Sequence, residues 1–175
     1  QEYYLDYFKL MFMLIGINGT DLYNLKKIEN GRVEYRRAKT HKLYSIKVEP
    51  EAMEIIDRHR SQNGDGLLDI TDRWKNPNDF IKNMNIALKK IGKLEIVGRG
   101  GKKKIKAEWP DLSTYWTRHS WATIAADIDI PDAVISCALG HSTVNPTTGI
   151  YIDRNKKKVD RANRKVLDWV LYVKR

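Results

Sequence analysis

The 175 residues carry 32 Lys and Arg against 22 Asp and Glu, a formal net charge of +10, with 42% hydrophobic residues and one cysteine. Such a chain can bury one sizeable core, and its basic excess points to a polyanion ahead of a small acidic substrate. No apolar run reaches the roughly 18 residues of a membrane span, no secretory leader pattern is present, and Cys137 has no intrachain partner, so the expectation is a reducing, cytoplasmic compartment and no membrane. Beginning at Gln1 already inside a helical pattern, residues 1–175 read as one domain of a longer protein.

Tyr3, Tyr4, Tyr7, Phe8, Met11 and Phe12 recur at three and four residues, which predicts an amphipathic helix of about four turns whose aromatic stripe is core. Gly16 and Gly19 end it, and Thr20 is placed to cap a second helix with Asp21 in its first turn and Leu22 and Leu25 inward. Asn30-Gly31 marks a turn. Val33 to Arg37 and Leu43 to Val48 then read as paired strands around a polar tip, Ala38-Lys39-Thr40-His41-Lys42. Pro50 opens a helix to about Arg60 with Met53, Ile55 and Ile56 inward. Asn76 caps another, with Phe80, Met84, Ala87, Leu88 and Ile91 on one face. Val97 to Lys106 is glycine-rich and basic and reads as a mobile, phosphate-facing loop or a solvated connection.

Thr114 to Ala126 predicts a helix capped by Ser113 or Thr114, with Trp116, Ser120 and Ile124 four apart. Tyr115 and Arg118 lie three apart and share a face, and Arg118 and His119 fall near the positive end of the helix dipole. Asp132 to Ala138 makes a short helix, followed by Leu139-Gly140-His141, a Pro-Thr-Thr-Gly turn and Tyr151. Lys156 to Lys174 carries an apolar stripe (Val159, Ala162, Val166, Trp169, Val170, Val173) opposite a basic face, and something must cover that stripe. The fold class is therefore α+β, mostly helical with a small antiparallel sheet.

Arg, His and Tyr in this arrangement form a set for gripping a phosphate and attacking it with a phenol oxygen. Arg118 is the best phosphate holder, because its planar fork engages two oxygens at once and a lysine cannot. Metal chemistry has no sequence support, since His41, His59, His119 and His141 lack zinc-ligand spacing; Gly98-Arg99-Gly100-Gly101 is not a nucleotide-binding loop. No cofactor is expected.

The ordered set Arg118-His119-Ser120-Trp121-Ala122-Thr123, Leu139-Gly140-His141 and Tyr151 resembles the motifs of the tyrosine recombinase (phage integrase) family, over nearly all of the chain. The resemblance implies the integrase catalytic-domain fold, and cleavage and rejoining of double-stranded DNA through a 3′-phosphotyrosyl intermediate. It assigns Tyr151 as nucleophile, Arg118 and His141 as phosphate ligands, and Lys39 as the acid for the leaving 5′-oxygen, with Lys42 close enough to replace it. It implies assembly on DNA as a tetramer and an upstream DNA-clamping domain outside this chain. The terminal helix would pack on a neighbouring protomer, or fold back on its own domain when DNA is absent.

Two positions depart from the family pattern. Tyr115 stands where a histidine is usual, and its hydroxyl still donates a hydrogen bond. Asn18, in Gly16-Ile17-Asn18-Gly19-Thr20-Asp21-Leu22, stands where the first arginine is usual. Either Arg36, Arg37 or Arg99 fills that space, or the chemistry is weak. The alternative readings are a DNA-binding domain of this fold with weak or lost catalysis, and a basic helical interaction module with no DNA chemistry.

Overall fold

A computed structural model describes residues 2–99, 104–141 and 149–173, the side chains of 105 and 149–154 excepted. Among these the chain forms eight helices, a three-stranded antiparallel sheet and a separate two-stranded hairpin, an α+β arrangement. The helices are α1 (Glu2–Met13), α2 (Gly19–Tyr23), α3 (Pro50–Arg58), α4 (Ile70–Arg73), α5 (Pro77–Leu88), α6 (Trp116–Asp127), α7 (Asp132–Ala138) and α8 (Gly149–Leu171). The strands are β1 (Ile28–Glu29), β2 (Arg32–Arg36), β3 (Leu43–Lys47), β4 (Leu94–Val97) and β5 (Lys104–Ala107).

The core is built where the periodicities meet. Tyr7, Leu10, Phe80, Met84, Leu88, Trp121, Val166 and Leu167 are each fully buried, so α1, α5, α6 and α8 share one interior. The sheet closes one side of it in the order β1-β2-β3, with Val33 opposite Ile46 and Tyr35 opposite Tyr44. Asn30 and Gly31 both take positive φ, 51° and 69°, as a two-residue hairpin turn between right-twisted strands requires. The terminal stripe is covered by the chain itself: Val159, Ala162, Val166 and Leu167 are buried, and a buried amide locks the packing. Asn163 Oδ1 accepts from Trp121 Nε1 at 2.8 Å while its Nδ2 donates to the Met13 carbonyl at 3.0 Å, tying α8 to α6 and α1. Beyond Leu167 the stripe leaves the core, and Val170 and Val173 are exposed.

Several sequence expectations need correction. The inward face of α6 is Thr117, Trp121 and Ala125, one position from the four-residue repeat of Trp116, Ser120 and Ile124; Trp116 is exposed, because the bulk of Trp121 takes the interior. Neither Ser113 nor Thr114 caps α6 through its side chain; the Ncap is Tyr115, and the Thr114 amide donates to Asn85 Oδ1 at 2.8 Å. Thr20 does not cap α2 either: Asn18 does, accepting from the Thr20 amide at 2.8 Å. On α3 the buried positions are Ala52, Ile55 and Ile56, while Met53 is half-buried. Within the segment from Val97 to Lys106, Val97 ends β4 and Lys104 to Lys106 belong to β5, paired antiparallel, since Leu94/Ile96 and Ile105/Ala107 alternate with charged residues at a period of two; residues 100–103 lie outside the described residues. Finally, α8 begins at Gly149, seven residues ahead of the expected Lys156, and so includes Tyr151.

Candidate functional site: an arginine cleft

The turn after α1 sets the position of Arg118. Gly16 holds φ +63°, a conformation that costs an L side chain, and its missing Cβ leaves room for the α6 backbone. A Cβ built there would lie within 3.0 Å of the Arg118 N, Cα and Cβ. Asn18 follows at the Ncap of α2, its side-chain oxygen occupied by the Thr20 amide. In the first turn of α2, the buried Asp21 accepts from the Ala38 amide at 2.9 Å, pinning the β2–β3 turn to this corner. Burial raises the Asp21 carboxyl above its ordinary value, against the Ala38 hydrogen bond and the nearby Arg37 and Arg118 guanidiniums, which pull it down.

Between these elements lies a small cleft of about 50 Å³. Asn18, Arg37, Tyr115 and Arg118 line it, and its lining contains no carboxylate. Arg118 is half-buried and makes no ion pair among the described residues. Its Nη2 donates to the Leu139 carbonyl, which leaves the rest of the planar fork open to a ligand. Tyr115 is exposed, with its ring edge-on to His119 at 4.4 Å between centroids. His119 points to solvent with Tyr115 and is absent from the cleft lining. The first-turn amides of α6 are taken by the carbonyls of Ser113, Thr114 and Tyr115, so donor capacity here belongs to side chains.

Leu139-Gly140-His141 ends α7 as a Schellman cap. The His141 amide donates to the Ser136 carbonyl at 2.8 Å, the Gly140 amide to the Cys137 carbonyl at 3.0 Å, and Gly140 takes φ +67°. The two carbonyls of that turn face the site. Leu139 O receives both Arg118 and the buried Tyr44 hydroxyl, the latter at 3.0 Å, and Gly140 O receives Lys42 Nζ at 3.1 Å. The turn therefore ties Arg118, β3 and the β2–β3 loop together and leaves His141 exposed next to them. Tyr35 stacks on Tyr44 with centroids 5.2 Å apart. Burial pushes the Tyr35 phenol up, aided by the Asp21 carboxylate and the neighbouring Tyr44, while Arg118 and Arg37 act in the opposite direction.

The sequence-predicted residues thus divide three ways. Arg118 and Tyr115 share the cleft, and His141 sits on the turn hydrogen-bonded to Arg118. Lys39 is exposed at the tip of the β2–β3 loop, two residues from Arg37, whereas Lys42 is the lysine bonded to Gly140. Tyr151 lies in the first turn of α8, and its side chain is outside the described residues. Sequence reading missed the support of this corner: Asp21 under Ala38, Tyr44 under Leu139, and Gly16 against Arg118. The signal available for Asp21 was a buried-pattern Leu22 directly after an acid, which is too common to single it out.

Comparison with protein-family models, with curated proteins and with solved structures finds no match for this chain. No helix among the described residues is long and apolar enough to cross a membrane, and no group of three or more His, Cys, Asp or Glu there is arranged to hold a metal ion. What the site offers chemically is a concave, carboxylate-free pair of guanidiniums with a phenol at its rim, which suits an oxyanion with several exposed oxygens.

Proposed function

We propose that this chain is the catalytic domain of a tyrosine site-specific DNA recombinase, with the integrase catalytic-domain fold, acting on double-stranded DNA. The observation that carries the reading is the cleft: Arg118, the arginine of the Arg-His-Ser-Trp-Ala-Thr motif, has an open fork in a carboxylate-free hollow and is bonded to the Leu-Gly-His turn. A phosphodiester repels nucleophiles through its negative charge, so catalysis needs cations fixed on its non-bridging oxygens. In this reading Arg118 and His141 hold those oxygens and Tyr115 donates from the rim. The Tyr151 oxygen forms the new bond to phosphorus and loses its proton to water. The P–O5′ bond breaks and the 5′-oxygen takes a proton from Lys39, or from Lys42 beside it. Rejoining is the reverse attack by a 5′-hydroxyl, so the phosphotyrosyl bond conserves the energy and no ATP is consumed. Exchange between duplexes requires several protomers on DNA, a tetramer in this reading, together with a further DNA-clamping domain.

The test is covalent capture. A library of randomised duplexes carrying a 5′-bridging sulfur at the cleavable positions releases a thiol that rejoins poorly, so the adduct accumulates. The parent protein should yield a protein–DNA adduct that survives denaturant, and Tyr151→Phe should yield none while retaining DNA affinity. Full adduct from Tyr151→Phe would remove Tyr151 from the role. The second reading, a DNA-binding domain of this fold without catalysis, is favoured by Asn18, whose side-chain oxygen is committed to capping α2. It predicts salt-sensitive DNA binding and no adduct. A basic interaction module without DNA chemistry predicts neither.

A further inference from the structure

We propose that Arg37 supplies the second phosphate-binding cation of this cleft, in the space that Asn18 leaves unfilled. The inference rests on the reading of the cleft as a phosphodiester site, and it selects one residue among the three arginines that the sequence leaves open.

Three observations distinguish Arg37. It lines the same 50 Å³ hollow as Asn18 and Arg118. Its backbone is held on both sides: its amide donates to the Lys42 carbonyl at 2.9 Å, its carbonyl accepts from the His41 amide at 2.8 Å, and the next amide is pinned by Asp21. Its guanidinium, in contrast, has no hydrogen-bond or ion-pair partner among the described residues. A cation on a fixed backbone beside a concave lining without carboxylates, near Asp21 but neither hydrogen-bonded nor ion-paired to it, is arranged for an anion from outside. Asp21 and Tyr35 report the same placement, since Arg37 and Arg118 act together on both groups.

The other two arginines are directed elsewhere. Arg36 donates to the His41 carbonyl at 3.3 Å and lines a different hollow, with Lys26, Lys27 and Glu29. Arg99 is exposed at the end of the β4–β5 hairpin and is absent from the cleft lining. Asn18 is free to be a helix cap because its neighbour across the cleft brings the charge. Arg37 also lies two residues from Lys39, so one turn would carry both a phosphate ligand and the acid for the leaving oxygen.

The experiment has two arms on the full chain. In the first, inorganic phosphate is titrated while the arginine Nε–Hε resonances are followed by NMR. The expected result is that Arg37 and Arg118 move together with one dissociation constant, that Arg36 and Arg99 stay still, and that Arg37→Ala weakens phosphate at Arg118 about tenfold or more. In the second, the adduct-forming rate of Arg37→Ala on captured duplex should fall about a hundredfold, as for removal of one oxyanion donor, while Arg36→Ala and Arg99→Ala stay near the parent. Unchanged urea midpoints for Arg37→Ala and Arg37→Lys show that the fold is intact. Movement of Arg118 without Arg37 overturns this inference and leaves the proposed function standing. No movement of either arginine also overturns it, and adduct formation by the parent then decides separately whether the proposed function survives.

Discussion

Gly16→Ala tests whether close backbone approach places Arg118. The residue holds φ +63°, which costs an L side chain about 1–2 kcal/mol, and its new Cβ would sit within 3.0 Å of three Arg118 atoms, two of them backbone. Backbone cannot swing aside as a flexible side-chain tip does, so an overpacking cost of about 1–3 kcal/mol adds to the first. Gly31 is the internal control, because it holds a similar φ of +69° and a Cβ there would meet nothing within 4 Å. Gly31→Ala should therefore carry the conformational cost alone. In urea, with a slope of about 2 kcal/mol/M, the midpoint of Gly16→Ala should lie about 0.5–1.5 M below that of Gly31→Ala. The functional readout is phosphate-induced movement of the Arg118 resonance at low urea, kept in Gly31→Ala and lost in Gly16→Ala. Equal midpoints for the two variants would refute the claim that this glycine is required by α6 rather than by the turn itself.

Three further outcomes are expected. Asn163→Ala leaves both Trp121 Nε1 and the Met13 carbonyl without their buried partner, so stability should fall by about 2–5 kcal/mol in chemical denaturation, while Asn85→Ala, at a partly buried bond, should cost less. Glu51 is held down to about 2 from its ordinary 4.5, first by its hydrogen bonds from Arg164 at 2.9 and 3.0 Å and also by the Tyr172 hydroxyl. Its folded value is the lower one, so its contribution is complete above about pH 4.5 and disappears as pH falls through about 2; acid unfolding of Glu51→Gln should be flatter across that window, and a parallel curve would count against the pairing. Arg118→Lys keeps the charge but cannot reach the Leu139 carbonyl and fork an anion together, so adduct yield should drop about a hundredfold or more with the fold retained by circular dichroism.

Much of the fold was legible because it is local. The aromatic stripe of α1, the Asn76 cap, the Asn30-Gly31 turn and the β2–β3 pairing each follow from residues within a few positions of one another. The β4–β5 hairpin was hidden by its glycines and lysines, and the start of α8 by a Pro-Thr-Thr-Gly run that reads as a turn. Ile28–Glu29 and Ile70–Arg73 are too short to leave a period.

The sequence by itself put Arg118, His141, Tyr115 and Tyr151 forward as candidates for chemistry, in an order that no fold was needed to see. It also showed that Asn18 stands where the family resemblance expects an arginine. Only the tertiary structure decided which arginine faces that space. Arg36 and Arg37 are neighbours in sequence and identical in chemistry, so no local signal separates them. Their separation comes from contacts more than ten residues distant, the Asp21 carboxylate that fixes the Ala38 amide and the Gly16 turn that admits the α6 backbone. A cleft is a property of several chain segments at once, and the physical reason it escapes sequence reading is that its shape is set by backbone approach rather than by residue type.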